Sequence, residues 1–149
     1  MKKRVYVIAV VIALFCGASA EAQSFTDNGD STITDNVTGM MWQKQDDGTT
    51  KTWANALTYC TSLSLGVHAD WRLPNLKELS SIVDDTVFNP AINATYFPAT
   101  QSSLYWSSTT FAGITSYAWY VYFGDGLVNF VSLDGKSNTY YARCVRLGQ

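Results

Sequence analysis

The chain has 149 residues, and its 12 Asp and Glu against 10 Lys and Arg give a net charge of −2. No Lys or Arg lies between Lys77 and Lys136. A nucleic-acid or heparin-type site needs clustered cations that displace counterions. The charge distribution therefore argues against both kinds of site, and we expect no nucleic-acid partner.

The N-terminal segment has the pattern of a secretory signal peptide. Cations at residues 2–4 precede an apolar run over residues 5–16, and small residues follow. The run is shorter than the roughly 20 residues that a transmembrane helix needs. We predict cleavage after Ala22, with Ala20 as the alternative, and no transmembrane anchor. A lipid anchor at Cys16 is disfavoured, because a bulky phenylalanine precedes that cysteine. The protein is expected in the periplasm, at the outer surface or secreted.

Cleavage would leave residues 23–149, which fit a single domain. This part has a net charge of −4, because three cations and one anion leave with the signal peptide. It retains Cys60 and Cys144. Two distant cysteines in an oxidising compartment predict one structural disulfide, with two separately buried thiols as the alternative. All 5 Trp are retained and are expected in the core.

Residues 25–44 alternate between apolar and polar side chains and are interrupted by turns rich in Asp, Asn and Gly. This pattern predicts two short strands and a third at residues 40–43. The oxygen-bearing side chains of the turns are of the kind that calcium uses, but their spacing does not match an EF-hand loop. We expect them to cap the turns and expect no metal or other cofactor, with calcium as the alternative: Asp27, Asn28, Asp30, Asp35 and Asn36.

Two helices are predicted in the middle of the chain. Residues 52–63 carry apolar side chains at helical spacing, and Cys60 lies on that inner face. Asn75 begins a second helix, and Glu78 follows at the capping-box position. Arg72, in the extended segment before this helix, is expected to pair with Glu78.

The second half of the chain is predicted to be β-structure. Asp125-Gly126 is a strong signal for a two-residue hairpin turn, which would pair Val121 with Phe130 and place both on the core side. The last strand carries Cys144. The order of strands, helix, helix and strands indicates an α+β fold. The predicted strands are residues 105–109, 117–123, 127–133 and 140–147.

Five motifs occur in a distinctive order: Thr-Asp-Asn-Val-Thr-Gly-Met-Met-Trp at 34–42, Asp-Trp-Arg-Leu-Pro-Asn with Glu-Leu at 70–79, Tyr-Trp-Ser-Ser-Thr at 105–109, Ala-Trp-Tyr-Val at 118–121 and Arg-Cys-Val-Arg at 143–146. From about Phe25 to Arg146, the chain resembles a bacterial domain family of unknown function. That family is typified by the C-terminal domain of the Legionella collagen-like adhesin.

The resemblance implies a C-type lectin-like fold, similar also to that of formylglycine-generating proteins. Two helices would flank short antiparallel sheets, and a disulfide would join a helix to the last strand. This agrees with the pairing of Cys60 and Cys144 expected above. The resemblance also implies a ligand surface built from the second-half loops and the central hairpin. The adhesin binds sulfated polysaccharides, but the cation-free second half departs from that pattern, so this ligand is not carried over.

Catalysis has little support in the sequence. His68 is the single histidine and lies in a predicted loop. Cysteine chemistry of the formylglycine-generating type would need free thiols, whereas Cys60 and Cys144 are expected to be paired. We therefore expect no enzyme, and an enzyme of the formylglycine-generating fold type is the weakest alternative.

With catalysis disfavoured, the sequence best supports a binding function. Tyr and Asn on a rigid β-scaffold offer large amphipathic contact area, although Tyr is also common on ordinary strand surfaces. We predict a non-catalytic module that recognises a cell-surface or extracellular glycan or protein through an aromatic hairpin face. The alternative is a structural or assembly subunit of an envelope or surface complex. The candidate ligand-contacting residues are Thr110, Phe111, Tyr117, Tyr120, Tyr122, Asn129, Tyr140 and Tyr141.

Overall fold

The computed structural model describes residues 23–125 and 131–148, so the predicted signal peptide and Asn129 lie outside the described residues. Within these ranges, no helix is long and apolar enough to cross a membrane. The described elements are, in chain order, β1 (Phe25–Asp27), β2 (Thr32–Asp35), β3 (Met40–Gln43), α1 (Trp53–Thr61), α2 (Leu76–Ser81), β4 (Leu104–Thr110), β5 (Tyr117–Tyr122), β6 (Val131–Gly135) and β7 (Val145–Leu147).

The first sheet has the antiparallel order β1-β2-β3-β7, so the end of the chain pairs with its beginning. The three predicted N-terminal strands are confirmed. Ile33 and Trp42 lie opposite each other in β2 and β3, and both are fully buried. Gly39 has a φ of 70° in the turn between these strands, where a residue with a β-carbon would be strained.

Both helices begin with a capping interaction, and the predicted start of the second helix at Asn75 is confirmed. The Thr52 hydroxyl accepts a hydrogen bond from the Asn55 amide at the start of α1. Asn75 and Glu78 form the expected capping box at the start of α2. The Arg72 guanidinium donates two hydrogen bonds to the Glu78 carboxylate, at 2.7 and 2.8 Å, which confirms the predicted pair. These local contacts supply what such short helices lack in intrinsic stability.

The second sheet has the order β4-β5-β6, and its register corrects the predicted hairpin. Val121 pairs with Val131 rather than with Phe130, and Ala118 pairs with Asp134. This register differs by one residue from the register that a two-residue Asp-Gly turn would give. Asp134 therefore faces the same side of the sheet as Ala118.

Both sides of the second sheet are packed. On one side, Tyr105 and Val121 join a core cluster that includes Leu79 of α2. On the other side, Trp106 and Ala118 join a cluster that includes Cys60 of α1. The two helices thus flank the sheet on opposite sides, and the predicted α+β class is confirmed. The more specific C-type lectin-like fold stays a prediction.

The five tryptophans do not all belong to the core, which corrects the sequence prediction. Trp42, Trp71 and Trp106 are buried, whereas Trp53 and Trp119 are only half-buried. The Trp53 indole Nε1 donates to the Ser107 carbonyl at 2.9 Å, and the Trp119 ring packs against Phe111.

A disulfide joins Cys60 of α1 to Cys144, and both residues are fully buried. The predicted pairing is confirmed. The last strand is shorter than expected, because Tyr140 and Tyr141 form isolated bridges to Lys51 and Tyr105 instead of continuing β7. The regular strand begins one residue after Cys144.

Replacing both Cys60 and Cys144 with serine should lower the free energy of unfolding by about 3–5 kcal/mol. The disulfide closes a chain segment with a sequence separation of 84, so its loss gives the unfolded chain much more conformational freedom. Urea denaturation of the oxidised protein and of the double variant measures the difference. Equal stabilities would show that the disulfide contributes nothing to the fold.

Candidate functional site

The predicted contact residues divide between the two sides of the second sheet. Tyr120 and Tyr122 of β5 lie on the α1 side, because they alternate with the core residue Val121. Tyr117 lies on the α2 side. Phe111 packs against Trp119 on that same side, with ring centroids 5.7 Å apart. One continuous face containing all the candidates therefore does not form.

Tyr140 and Tyr141 also lie on opposite sides of the sheet, because successive side chains of an extended segment point in opposite directions. Tyr141 stacks on Tyr105 at 5.4 Å, beside the core cluster on the α2 side. Tyr140 lies on the α1 side with Tyr120. The structure thus brings Tyr120 and Tyr140 together and places Phe111, Tyr117 and Tyr141 elsewhere.

The strongest concentration of aromatic rings is the group of Trp106, Tyr120 and Tyr140, called here the aromatic cluster. The Trp106 and Tyr140 centroids are 4.5 Å apart, and the Tyr120 and Tyr140 centroids are 5.3 Å apart. Trp106 is fully buried, and its indole Nε1 donates to the Lys51 carbonyl at 2.9 Å. Tyr120 and Tyr140 are half-buried on top of it. The predicted outward position of Tyr120 is corrected, because a second core cluster lies beneath this face.

Polar groups from β6 and the turn after it border the aromatic cluster. Asp134 lies opposite Ala118, and its carboxylate accepts a hydrogen bond from the Tyr140 hydroxyl. Lys136 donates to the Thr110 hydroxyl at 2.9 Å, and its ammonium lies 3.9 Å from the centre of the Trp53 ring. Asp134 and Lys136 were not predicted from the sequence to lie at this site. The one available signal was that Lys136 ends the long cation-free stretch.

The contact between Tyr140 and Asp134 shifts the pKa values of the two groups in opposite directions. Desolvation, with the neighbouring Asp134 carboxylate, raises the pKa of Tyr140 to about 12. The hydrogen bond from Tyr140, with a second from the Gly135 amide, lowers the pKa of the Asp134 carboxyl. At neutral pH the phenol is therefore neutral and the carboxylate ionised. This arrangement can hold a ligand by ring contact and hydrogen bonding.

Tyr122, the remaining candidate of β5, is half-buried and lies beyond the aromatic cluster near the end of the strand. Its ring covers Gly124, since a β-carbon built at that glycine would meet the Tyr122 Cζ at 2.0 Å. The Tyr122 ring can approach this closely because glycine has no side chain. Tyr122 therefore lies next to Gly124, just after the end of β5.

The Asx-rich turns near the N-terminus use their side chains to bind their own backbone, as predicted. Asp35 Oδ1 accepts from the Val37 and Thr38 amides, and Asp30 Oδ1 accepts from the Thr32 amide. Across residues 23–125 and 131–148, no group of three or more His, Cys, Asp or Glu side chains is arranged to hold a metal ion. His68 closes a tight turn, with backbone hydrogen bonds to Leu65 in both directions.

The model of one protein family, the Lcl C-terminal domain, matches residues 31–146, well over half of the chain. The chain belongs to the Lcl C-terminal domain family. The match begins just before β2 and ends within β7, so it includes both helices, the disulfide and the aromatic cluster. Membership in the Lcl family makes this a module related to surface adhesins. No curated protein sequence matches the chain.

The raised pKa of Tyr140 predicts that the folded protein loses stability at strongly alkaline pH. A phenol whose pKa is higher in the folded than in the unfolded state stabilises the fold below pH 10. That contribution is lost as the pH rises through about 12. Ultraviolet titration of tyrosinate should show a late-titrating group that disappears in Tyr140→Phe and titrates earlier in Asp134→Asn. An unchanged titration curve in both variants would contradict the assigned contact.

Proposed function

We propose that this Lcl-family protein is an exported, non-catalytic domain that binds a cell-surface or extracellular glycan through the aromatic cluster. The observation that carries the proposal is the meeting of Tyr120 and Tyr140 on buried Trp106, with both tyrosines still partly exposed. Tyrosine combines a flat apolar ring with a polar tip, which suits a sugar that has an apolar face bordered by hydroxyls.

The rigidity of the cluster supports binding. The backbone of Tyr140 exchanges hydrogen bonds of 2.8 and 3.0 Å with Lys51, and its hydroxyl is held by Asp134. Tyr120 belongs to the central strand of its sheet. Side chains that are already ordered lose little conformational entropy when a ligand arrives.

The groups around the aromatic cluster are suited to hydrogen bonding with a ligand rather than to catalysis. The Asp134 carboxylate can accept from a sugar hydroxyl. A general acid or base works best with a pKa near the ambient pH, whereas the pKa of Tyr140 is raised to about 12. We therefore assign the cluster a binding role.

Export is supported by the disulfide and by the family. A fully buried Cys60–Cys144 bridge forms and persists in an oxidising compartment. The Lcl family links the domain to surface adhesins. Both observations agree with the N-terminal signal expected from the sequence.

A glycan array tests the proposal, using the full chain expressed in a host that exports and oxidises it. Tyr120→Ala should weaken binding by roughly tenfold or more, because it removes one ring of the cluster. Tyr117→Ala is the matched control, since it removes the same side chain from the other side of β5 and should leave binding unchanged.

Three outcomes would overturn the proposal. Glycan binding that survives Tyr120→Ala would place the site elsewhere, and binding that disappears with a calcium chelator would move it to the Asx-rich turns. A folded, oxidised protein that binds no glycan and self-associates in light scattering would indicate an assembly subunit instead.

A further inference from the structure

A second surface feature lies away from the aromatic cluster, in the segment between α2 and β4. Residues 84–94 enclose an open cavity of about 410 Å³. Three backbone hydrogen bonds hold this segment in place: Asp84 N to Ala91 O at 3.1 Å, Asn89 N to Gly124 O at 2.7 Å and Ala91 N to Phe123 O at 2.8 Å. The cavity is therefore formed before any ligand arrives.

One wall of the cavity is an exposed aromatic ring. Phe88 is 72% exposed, although the backbone of its neighbour Asn89 is fixed to Gly124. Ile92, which is 1% exposed, lies at the cavity on the core side. Val87, which also lines the cavity, is 40% exposed, so the two neighbouring side chains form a small exposed apolar patch of the kind that marks contact surfaces.

Polar groups line the rest of the cavity. Asn93 Oδ1 accepts from the Thr95 amide, which fixes the orientation of that carboxamide. Asp84 Oδ1 accepts from Thr86. Within the described residues, the Asn93 Nδ2, the Asn89 carboxamide and Asp84 Oδ2 make no hydrogen bond to protein. They offer both donors and acceptors, which a hydroxyl group can use at the same time.

The charge of the segment selects among ligands. The sequence has no Lys or Arg between Lys77 and Lys136, and the Asp84 carboxylate lines the cavity, with Asp85 next to it in the chain. A sulfated, phosphorylated or carboxylated ligand would meet negative charge without a cation to balance it. The lining therefore disfavours an anion, and the carboxamides of Asn89 and Asn93 suit the hydroxyl groups of a neutral ligand.

We propose that this cavity is a binding site for a neutral hexopyranose, with the Phe88 ring against the apolar face of the sugar. Asn89, Asn93 and Asp84 would bind its hydroxyl groups. This site is separate from the aromatic cluster and does not depend on the function proposed for it. A domain with both sites would contact two positions of one glycan or two glycans, which strengthens attachment through multivalency.

Ligand-observed nuclear magnetic resonance on the exported, oxidised protein tests the cavity with methyl glycosides of glucose, galactose, mannose and N-acetylglucosamine. At least one of them should bind. Phe88→Ala should weaken that binding roughly tenfold, the size of one good aromatic contact. Ile114→Ala is the control, because Ile114 is a 51% exposed apolar residue on a different loop and should have no effect.

A second variant separates binding from folding. Asn93→Asp keeps the acceptor for the Thr95 amide but replaces the Nδ2 donor with a carboxylate oxygen, so the turn should form while sugar binding falls. Thermal melting checks that both variants fold like the parent protein. Sulfated sugars and choline serve as charged competitors and should not displace the neutral sugar.

The proposal fails if none of the neutral sugars binds, or if only a sulfated sugar or choline binds. It also fails if binding survives both Phe88→Ala and Asn93→Asp. Neutral-sugar binding that is lost in Tyr120→Ala but kept in Phe88→Ala would support the aromatic cluster and overturn the cavity site. The reverse pattern, with binding lost in Phe88→Ala and kept in Tyr120→Ala, would support the cavity site.

Discussion

The buried guanidinium of Arg143 is the interaction on which the arrangement of the whole domain depends. It is fully buried and donates to the carbonyls of Gln43 and Lys44 at 2.8 and 2.6 Å, and to the Thr100 hydroxyl at 2.8 Å. Its counter-ion is Asp46, at 3.2 Å. Desolvation lowers the pKa of Arg143, but an arginine remains charged in a protein. A buried charge costs several kcal/mol unless it is paired and hydrogen-bonded. Among the described residues, the Arg143 Nε has no hydrogen-bond partner, so the contacts of Nη1 and Nη2 must hold these distant segments in place around the charge.

The same network positions the aromatic cluster. Asp46 also accepts a hydrogen bond of 2.8 Å from the hydroxyl of Tyr105, the neighbour of Trp106 in β4. Arg143 lies three residues after Tyr140 and directly before Cys144, so its contacts and the disulfide fix the path of the last segment. Tyr140 then meets Trp106 on one side of the sheet, and Tyr141 meets Tyr105 on the other. The proposed ligand surface is thus a consequence of buried polar contacts on the opposite side of the same strand.

Local signals explain what the sequence predicted correctly. The capping box of Asn75 and Glu78, the Asx turn at Asp35 and the helical position of Cys60 each depend on residues only a few positions apart. The predicted hairpin register was wrong because it also relied on a local signal alone. Asp125-Gly126 predicts a two-residue turn that would pair Val121 with Phe130, whereas Val121 pairs with Val131.

Long-range contacts explain what the sequence analysis missed. Arg143 was not expected to be buried, because its partners lie about 43 and 100 residues away and arginine is usually exposed. The sequence Tyr-Ala-Trp-Tyr-Val-Tyr of β5 was assigned one outward face. Apolar side chains at both odd and even positions are typical of a strand that is buried on both sides, and this signal could have indicated the half-buried Tyr120.

A double-mutant cycle at Arg143 and Asp46 tests the central role of the buried pair most directly. Arg143→Met and Asp46→Asn should each lower the free energy of unfolding in urea by roughly 3–5 kcal/mol, because each leaves an unpaired buried charge. The double variant should lose clearly less than the sum, since both charges are then gone. Losses below about 1 kcal/mol that simply add would contradict the account, because the two side chains would then act independently and weakly.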